Sequence, residues 1–169
     1  MVYHRLKRSG LAVSRIALGC WAFAGTSNWG PQDDENSIAA VHAALDLGIT
    51  LFDTAEGYGD GYSERVLGRA LRGRRQDAVI ATKPKPDRAR REEVQKACEE
   101  SLKRLGSDYI DLYQLHWPSR EVPFSETVEG LERLKEAGKI RAYGVCNFGS
   151  QDLEEMLQLA EPETNQLAY

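Results

Sequence analysis

Apolar and polar positions along this chain switch repeatedly between short runs and helical spacing. Apolar runs occupy residues 15–20, 50–53, 77–83, 110–116 and 140–145, the first of them read as a buried strand. The run at 77–83 shows no alternation, as expected of a strand buried on both faces. Between the runs lie amphipathic segments. Ile38, Val41, Ala44 and Leu45 recur at helical spacing behind Asp33 or Asp34 as cap and before Gly48 as stop. Further helices are predicted at 63–71 opened by Ser63 and closed by Gly73, at 90–105 ended by Gly106, at 125–137 ended by Gly138, and from Ser150 as cap through Leu153, Met156 and Leu157, with Asp152, Glu154 and Glu155 on the solvated face of this last one. Residues 2–16 read as a β-hairpin turning at Ser9-Gly10, and residues 164–169 begin a sixth strand after Pro162.

Strand starts recur every ~24–32 residues, the length of a βαβ unit. Strict alternation of strand and helix implies a parallel sheet, either closed as a barrel or open and doubly wound. The open form usually carries Gly-x-Gly-x-x-Gly after its first strand, whereas Gly57-Tyr-Gly59 matches only half of that pattern. Polar residues at the exits of successive strands favour the (β/α)8 barrel. Eight such units need ~250 residues, so the 169 residues are expected to form one barrel-type domain, incomplete at about six of eight strands. Two open sheet edges follow, with self-association through them as a consequence.

Composition narrows the function. With 22 basic and 26 acidic residues and a net charge of −4, neither nucleic-acid nor membrane affinity is implied. No apolar h-region opens the chain and no run approaches the ~20 residues of a membrane span. Cys20, Cys98 and Cys146 lack CxxC spacing and fit buried thiols of a reducing cytoplasm. The histidines show no metal-ligand spacing. Lys83 to Arg91 holds five basic residues in nine; it is read as a solvated helix start, with a phosphate-facing patch as the alternative.

Asp53, Lys83 and His116 end three successive predicted strands, and Tyr58 follows Asp53 in a glycine-rich loop. Such a set suggests an active site. An ammonium ~4 Å away favours tyrosinate by roughly 1–4 kcal/mol, depending on dielectric, or about one to three pKa units. Tyr58 beside Lys83 is therefore expected to be a proton donor with a lowered pKa, with Asp53 orienting Lys83 and His116 aligning a carbonyl.

These residues carry a resemblance to the aldo-keto reductases. Gly48-Ile-Thr-Leu-Phe-Asp-Thr-Ala-Glu-Gly-Tyr-Gly, followed by Ser63-Glu64 and Leu67-Gly68, is similar to the first signature of that family. Ala81-Thr-Lys83, Asp108-Tyr-Ile-Asp-Leu-Tyr-Gln-Leu-His116, Gly138-Lys-Ile-Arg and Gly144-Val-Cys-Asn-Phe148 follow in the family order. The resemblance implies a barrel that binds NADPH across its mouth and reduces an aldehyde or ketone by hydride transfer, with Asp53, Tyr58, Lys83 and His116 as the catalytic tetrad. It implies that Cys146, Asn147 and Gln166 hold the nicotinamide carboxamide, Cys146 standing where the family usually has serine, a stronger donor. Asp53 and Trp21 also border the cofactor, and Trp21, Trp29 and Trp117, with Tyr58 and His116, line an apolar substrate pocket. The stretch around Asn28-Trp-Gly-Pro looks most like the bacterial sugar and general-aldehyde branch and like potassium-channel β subunits. In the family, segments after the sixth strand supply the aromatic stacked on the nicotinamide, the pyrophosphate loop and the basic residues for the adenosine 2′-phosphate. An NADPH-dependent carbonyl reductase is the leading expectation. A non-catalytic binding or regulatory protein, or an inactive fragment, are the alternatives.

Overall fold

The computed structural model describes residues 1–25 and 28–168. Thr26 and Ser27, between the first apolar run of the sheet and the helix capped at Asp33, and Tyr169 of the predicted sixth strand lie outside the described residues. Two strands, β1 (Tyr3–Arg5) and β2 (Ala12–Ser14), pair antiparallel as the predicted hairpin. Six more form one parallel sheet in chain order: β3 (Ala17–Gly19), β4 (Leu51–Asp53), β5 (Val79–Thr82), β6 (Ile110–Leu115), β7 (Ile140–Cys146) and β8 (Asn165–Gln166). Helices α1 (Asp34–Asp46), α2 (Tyr62–Ala70), α3 (Arg91–Leu105), α4 (Phe124–Glu136) and α5 (Ser150–Leu159) fill the crossovers. The arrangement is the curled parallel sheet of a (β/α)8 barrel fragment, as the sequence pattern predicts. No helix among the described residues is long and apolar enough to cross a membrane.

A period of two divides each strand between two environments. Phe52, Ile80, Tyr113, Leu115 and Val145 pack into the core beneath the helices. Their neighbours Leu51, Ala81, Leu112 and Ala142 face the concave side in a smaller cluster. Gly144 belongs to that inner row, and a methyl group there would run into the Thr164 hydroxyl that Gln114 reaches at 3.1 Å. The concave face thus carries small residues and retains a cavity of about 280 Å³ beside Asp53, Gln114 and Gln166.

Three local readings differ from the structure. β3 is an edge strand with one neighbour, so Ala17 and Gly19 are exposed and Leu18 half-buried rather than fully covered. Ser63 does not cap α2. Gly61 occupies the cap position, while the Ser63 hydroxyl donates to the Cys20 carbonyl at 2.6 Å and contacts Thr54 Oγ1 at 2.9 Å. Gly149, not Ser150, caps α5, and Asp152, expected on a solvated face, is buried against Arg120 at 2.6 Å. The Asp33 cap holds, its carboxylate accepting from the Glu35 and Asn36 amides.

Tyr113 is wholly enclosed, and its hydroxyl has no hydrogen-bond partner among the described residues. Burial pushes its pKa well above the ordinary value, so the group stays a neutral, unpaired phenol. A buried donor without a partner carries a desolvation cost of about 1–3 kcal/mol. Tyr113→Phe is therefore expected to stabilise the fold by about 1 kcal/mol in denaturant titration; a loss of stability would mean that the hydroxyl is bonded.

Candidate active site

Period-two register brings the polar groups to one end of the sheet. Asp53 ends β4, Lys83 follows β5, His116 follows β6, Cys146 ends β7 and Gln166 ends β8. On β4 to β7 each shares the face of the inner-row residue two or more positions before it, so all emerge at the C-terminal mouth, where barrel sites lie. Lys83 is the anchor. It is 2% exposed, and its ammonium donates to Asp53 Oδ1 at 2.7 Å and to the Thr54 carbonyl at 2.9 Å. A buried ammonium needs such partners to remain charged.

The loop bearing Tyr58 is tied to the loop after β5. The Thr54 and Glu56 amides donate to the Ala81 and Lys83 carbonyls at 2.9 Å each. Glu56 in turn accepts from the Lys85 amide at 2.9 Å and from Arg88 at 2.6 Å. Tyr58 is thereby held between three groups. Its ring lies 5.6 Å from the Lys83 ammonium, meets His116 edge-on at 5.8 Å, and stacks on Trp21 at 5.7 Å and 22°. Trp29 closes on the far side of Trp21 at 5.7 Å and 79°. Trp117 is half exposed, with no aromatic pairing to this cluster among the described residues.

The pKa of Tyr58 moves opposite to the expectation from Lys83. Burial pushes it up to about 12, and the Asp53 carboxylate adds to the rise. The ammonium faces the tyrosine ring from a distance while bonding Asp53 directly, so its charge is largely compensated and desolvation wins. Tyr58 is consequently protonated across the physiological range. His116 moves the other way. Burial lowers its pKa, Lys83 lowers it further, and Asp53 opposes both. It is neutral at pH 7 and retains one ring N–H. An NMR titration of the His116 ring is expected to show a midpoint below the ordinary 6.5. Because the folded state disfavours the imidazolium, His116's contribution to stability is present above 6.5 and is lost as pH falls through the folded midpoint. A midpoint above 6.5 would contradict this.

The cofactor candidates sit next to the tetrad. The Cys146 thiol donates to Gln166 Oε1 at 3.4 Å, and burial pushes its pKa up to about 12, so it is a thiol rather than a thiolate. Asn147 adopts a left-handed backbone at φ 61°, and its side-chain amide donates to the His116 carbonyl at 2.9 Å. A non-glycine residue in that region stores strain and is common at sites. Sequence reasoning overlooked Asn165, the neighbour of Gln166. Its amide donates to the Phe148 carbonyl at 2.9 Å, while its Oδ1 is buried without a partner among the described residues. It also passed over Thr54, whose carbonyl helps fix Lys83; only adjacency to Asp53 pointed to it. The unpartnered Asn165 Oδ1, the Cys146–Gln166 pair and the cavity beside Asp53 fit a planar amide-bearing ring such as nicotinamide.

Comparison with known proteins gives a consistent result. The sequence profile of the Aldo/keto reductase family matches residues 15–169. The Aldo-keto reductase YhdN of Bacillus subtilis (strain 168) is 44% identical over all of this chain and 54% of its own length. Among solved structures, a thermostable aldo-keto reductase, Tm1743, in complex with the inhibitor epalrestat superposes with a TM-score of 0.92 at 36% identity, over all of this chain and 63% of its own. An aldo-keto reductase from Klebsiella pneumoniae in complex with NADPH gives 0.89 at 38% identity, over all of this chain and 59% of its own. The chain spans about half the length of the curated relatives it matches.

Proposed function

Since the chain belongs to the aldo/keto reductase family, we propose that it carries the proton-handling part of an NADPH-dependent reductase of small aldehydes and ketones. One observation supports this reading above the others: a protonated Tyr58 and a neutral His116 flank one opening above the buried Lys83–Asp53 pair. Two neutral donors side by side suit a carbonyl oxygen that becomes an alkoxide. His116 would orient the oxygen through its N–H, and Tyr58 would give up its proton as negative charge develops. Lys83 would then face the tyrosinate, while Asp53 keeps the ammonium in place. Trp21 and Trp29 offer an apolar wall that suits a small carbonyl compound and limits water.

Cys146, Asn147 and Gln166 would hold the carboxamide of the nicotinamide, with Asn165 and Asp53 beside it. When bound, NADPH supplies the hydride. The Klebsiella relative was solved with NADPH, which supports this choice of cofactor. The test is turnover: protein mixed with NADPH and excess of an unbranched small aldehyde is expected to form one alcohol per NADPH consumed. Folded protein that consumes no NADPH with any small aldehyde or ketone would refute the assignment.

A further inference from the structure

Positive charge collects on the outer helical face. A groove of about 430 Å³ lies there between α2 and the C-terminal end of α3. Arg65, Arg69 and Arg72 recur at i, i+4 and i+7 along α2 and the turn after it, so they share one face. Lys103 and Arg104 meet them from α3. The two central arginines are braced. Arg69 pairs with Asp34 at 2.5 Å and Glu35 at 3.2 Å, and Arg104 pairs with the fully buried Glu64. Arg65, Arg72 and Lys103 are exposed and have no carboxylate partner among the described residues.

Single cations unpaired among the described residues, such as Lys7, Lys96 and Lys135, occur elsewhere on the chain, but the other basic cluster is neutralised. In the 83–91 run, Lys85 pairs with Asp60, Arg88 with Glu56 and Glu100, Arg90 with Glu126, and Arg91 with Glu92 and Glu129. Carboxylates from α3, α4 and the Tyr58 loop cancel that patch; none does the same for the groove's three free cations. The groove's shape also favours a ligand. A methyl group on Gly68 would run into the Leu105 carbonyl, so the helices meet closely at the floor. Gly106, at φ 62°, has nothing within 4 Å of its Cβ direction, which leaves the end of the groove open.

Seven residues of helix span ~10 Å, longer than a single phosphate and suited to two or three joined ones. Guanidinium forks bind phosphate oxygens in pairs, and pockets of ~300–1,000 Å³ suit small ligands. We propose that this groove is a binding site for a small molecule bearing two or three contiguous phosphates, separate from the mouth of the barrel.

The test is calorimetric titration of the protein with inorganic tripolyphosphate at low salt. Saturable one-to-one binding is expected, weakening as salt rises. The double variant Arg72→Gln/Lys103→Gln should weaken it at least tenfold. Lys7→Gln/Lys135→Gln, which removes the same charge elsewhere, should leave it within twofold. A nucleoside triphosphate titrated in parallel identifies the source: equal affinity means that the phosphate chain alone is read, and tighter affinity means that the nucleoside adds contacts. Absence of saturable binding, or equal weakening in both double variants, overturns the proposal.

Discussion

Tyr58→Phe is expected to lower the turnover number for a small aldehyde by about 10²–10⁴-fold, the usual worth of a general acid, with the thermal midpoint unchanged. The substitution removes one hydroxyl and keeps the ring. Stacking on Trp21 and the edge contact with His116 survive, so folding and the apolar wall are preserved. The hydroxyl matters most when the carbonyl oxygen gains charge, so kcat and kcat/KM should fall together. With the Tyr58 pKa held at about 12 by burial and Asp53, wild-type activity should not decline through loss of this proton until strongly alkaline pH. Turnover within a few-fold of wild type in the phenylalanine variant would remove Tyr58 from the chemistry.

The second large effect lies at the opposite end of the barrel. Asp111 on β6 is almost wholly buried, and its carboxylate accepts from Arg75 at 2.6 Å, from the Ile80 amide at 3.0 Å and from Arg141 at 3.0 Å. It therefore joins β5, β6 and β7 through one side chain. Arg75 also donates to the Ala78 and Tyr109 carbonyls and lies 4.1 Å over the Tyr109 ring. Asp111→Ala leaves a strand amide without its acceptor and two guanidinium groups without their shared carboxylate. Breaking a buried charge pair from one side costs about 3–5 kcal/mol. At ~2–4 °C per kcal/mol for a domain of this size, a fall in melting temperature of about 6–20 °C is expected by circular dichroism. Asp111→Asn keeps an acceptor for Ile80 and should lose less. A shift smaller than about 2 °C for the alanine variant would mean that the network is not a structural anchor.

The parallel sheet was legible because its signals are local and redundant: apolar runs, helical spacing, and glycines such as Gly48, Gly106 and Gly138 that take up left-handed backbone. The strand-exit positions of Asp53, Lys83 and His116 were legible for the same reason, since a period of two fixes which face each occupies. What the sequence hid depends on partners distant in the chain. Ser63 looked like a cap because serine before an amphipathic run usually is one, yet its hydroxyl closes onto Cys20, 43 positions away. The basic run at 83–91 gave no sign that glutamates of α3 and α4 would neutralise it. The direction of the Tyr58 pKa was hidden too. A pairwise estimate with Lys83 omits both the desolvation of the phenol and the Asp53 carboxylate that takes up the ammonium.

The most direct measurement follows deuterium from the transferable position of labelled NADPH during reduction of a small aldehyde. Direct transfer above the Asp53–Lys83 pair, with Tyr58 supplying the proton, predicts one deuterium on the carbinol carbon of the alcohol and none washed into solvent, with formation of that product suppressed in Tyr58→Phe. Unlabelled alcohol, or labelled alcohol formed at an undiminished rate by the Tyr58→Phe protein, would contradict it.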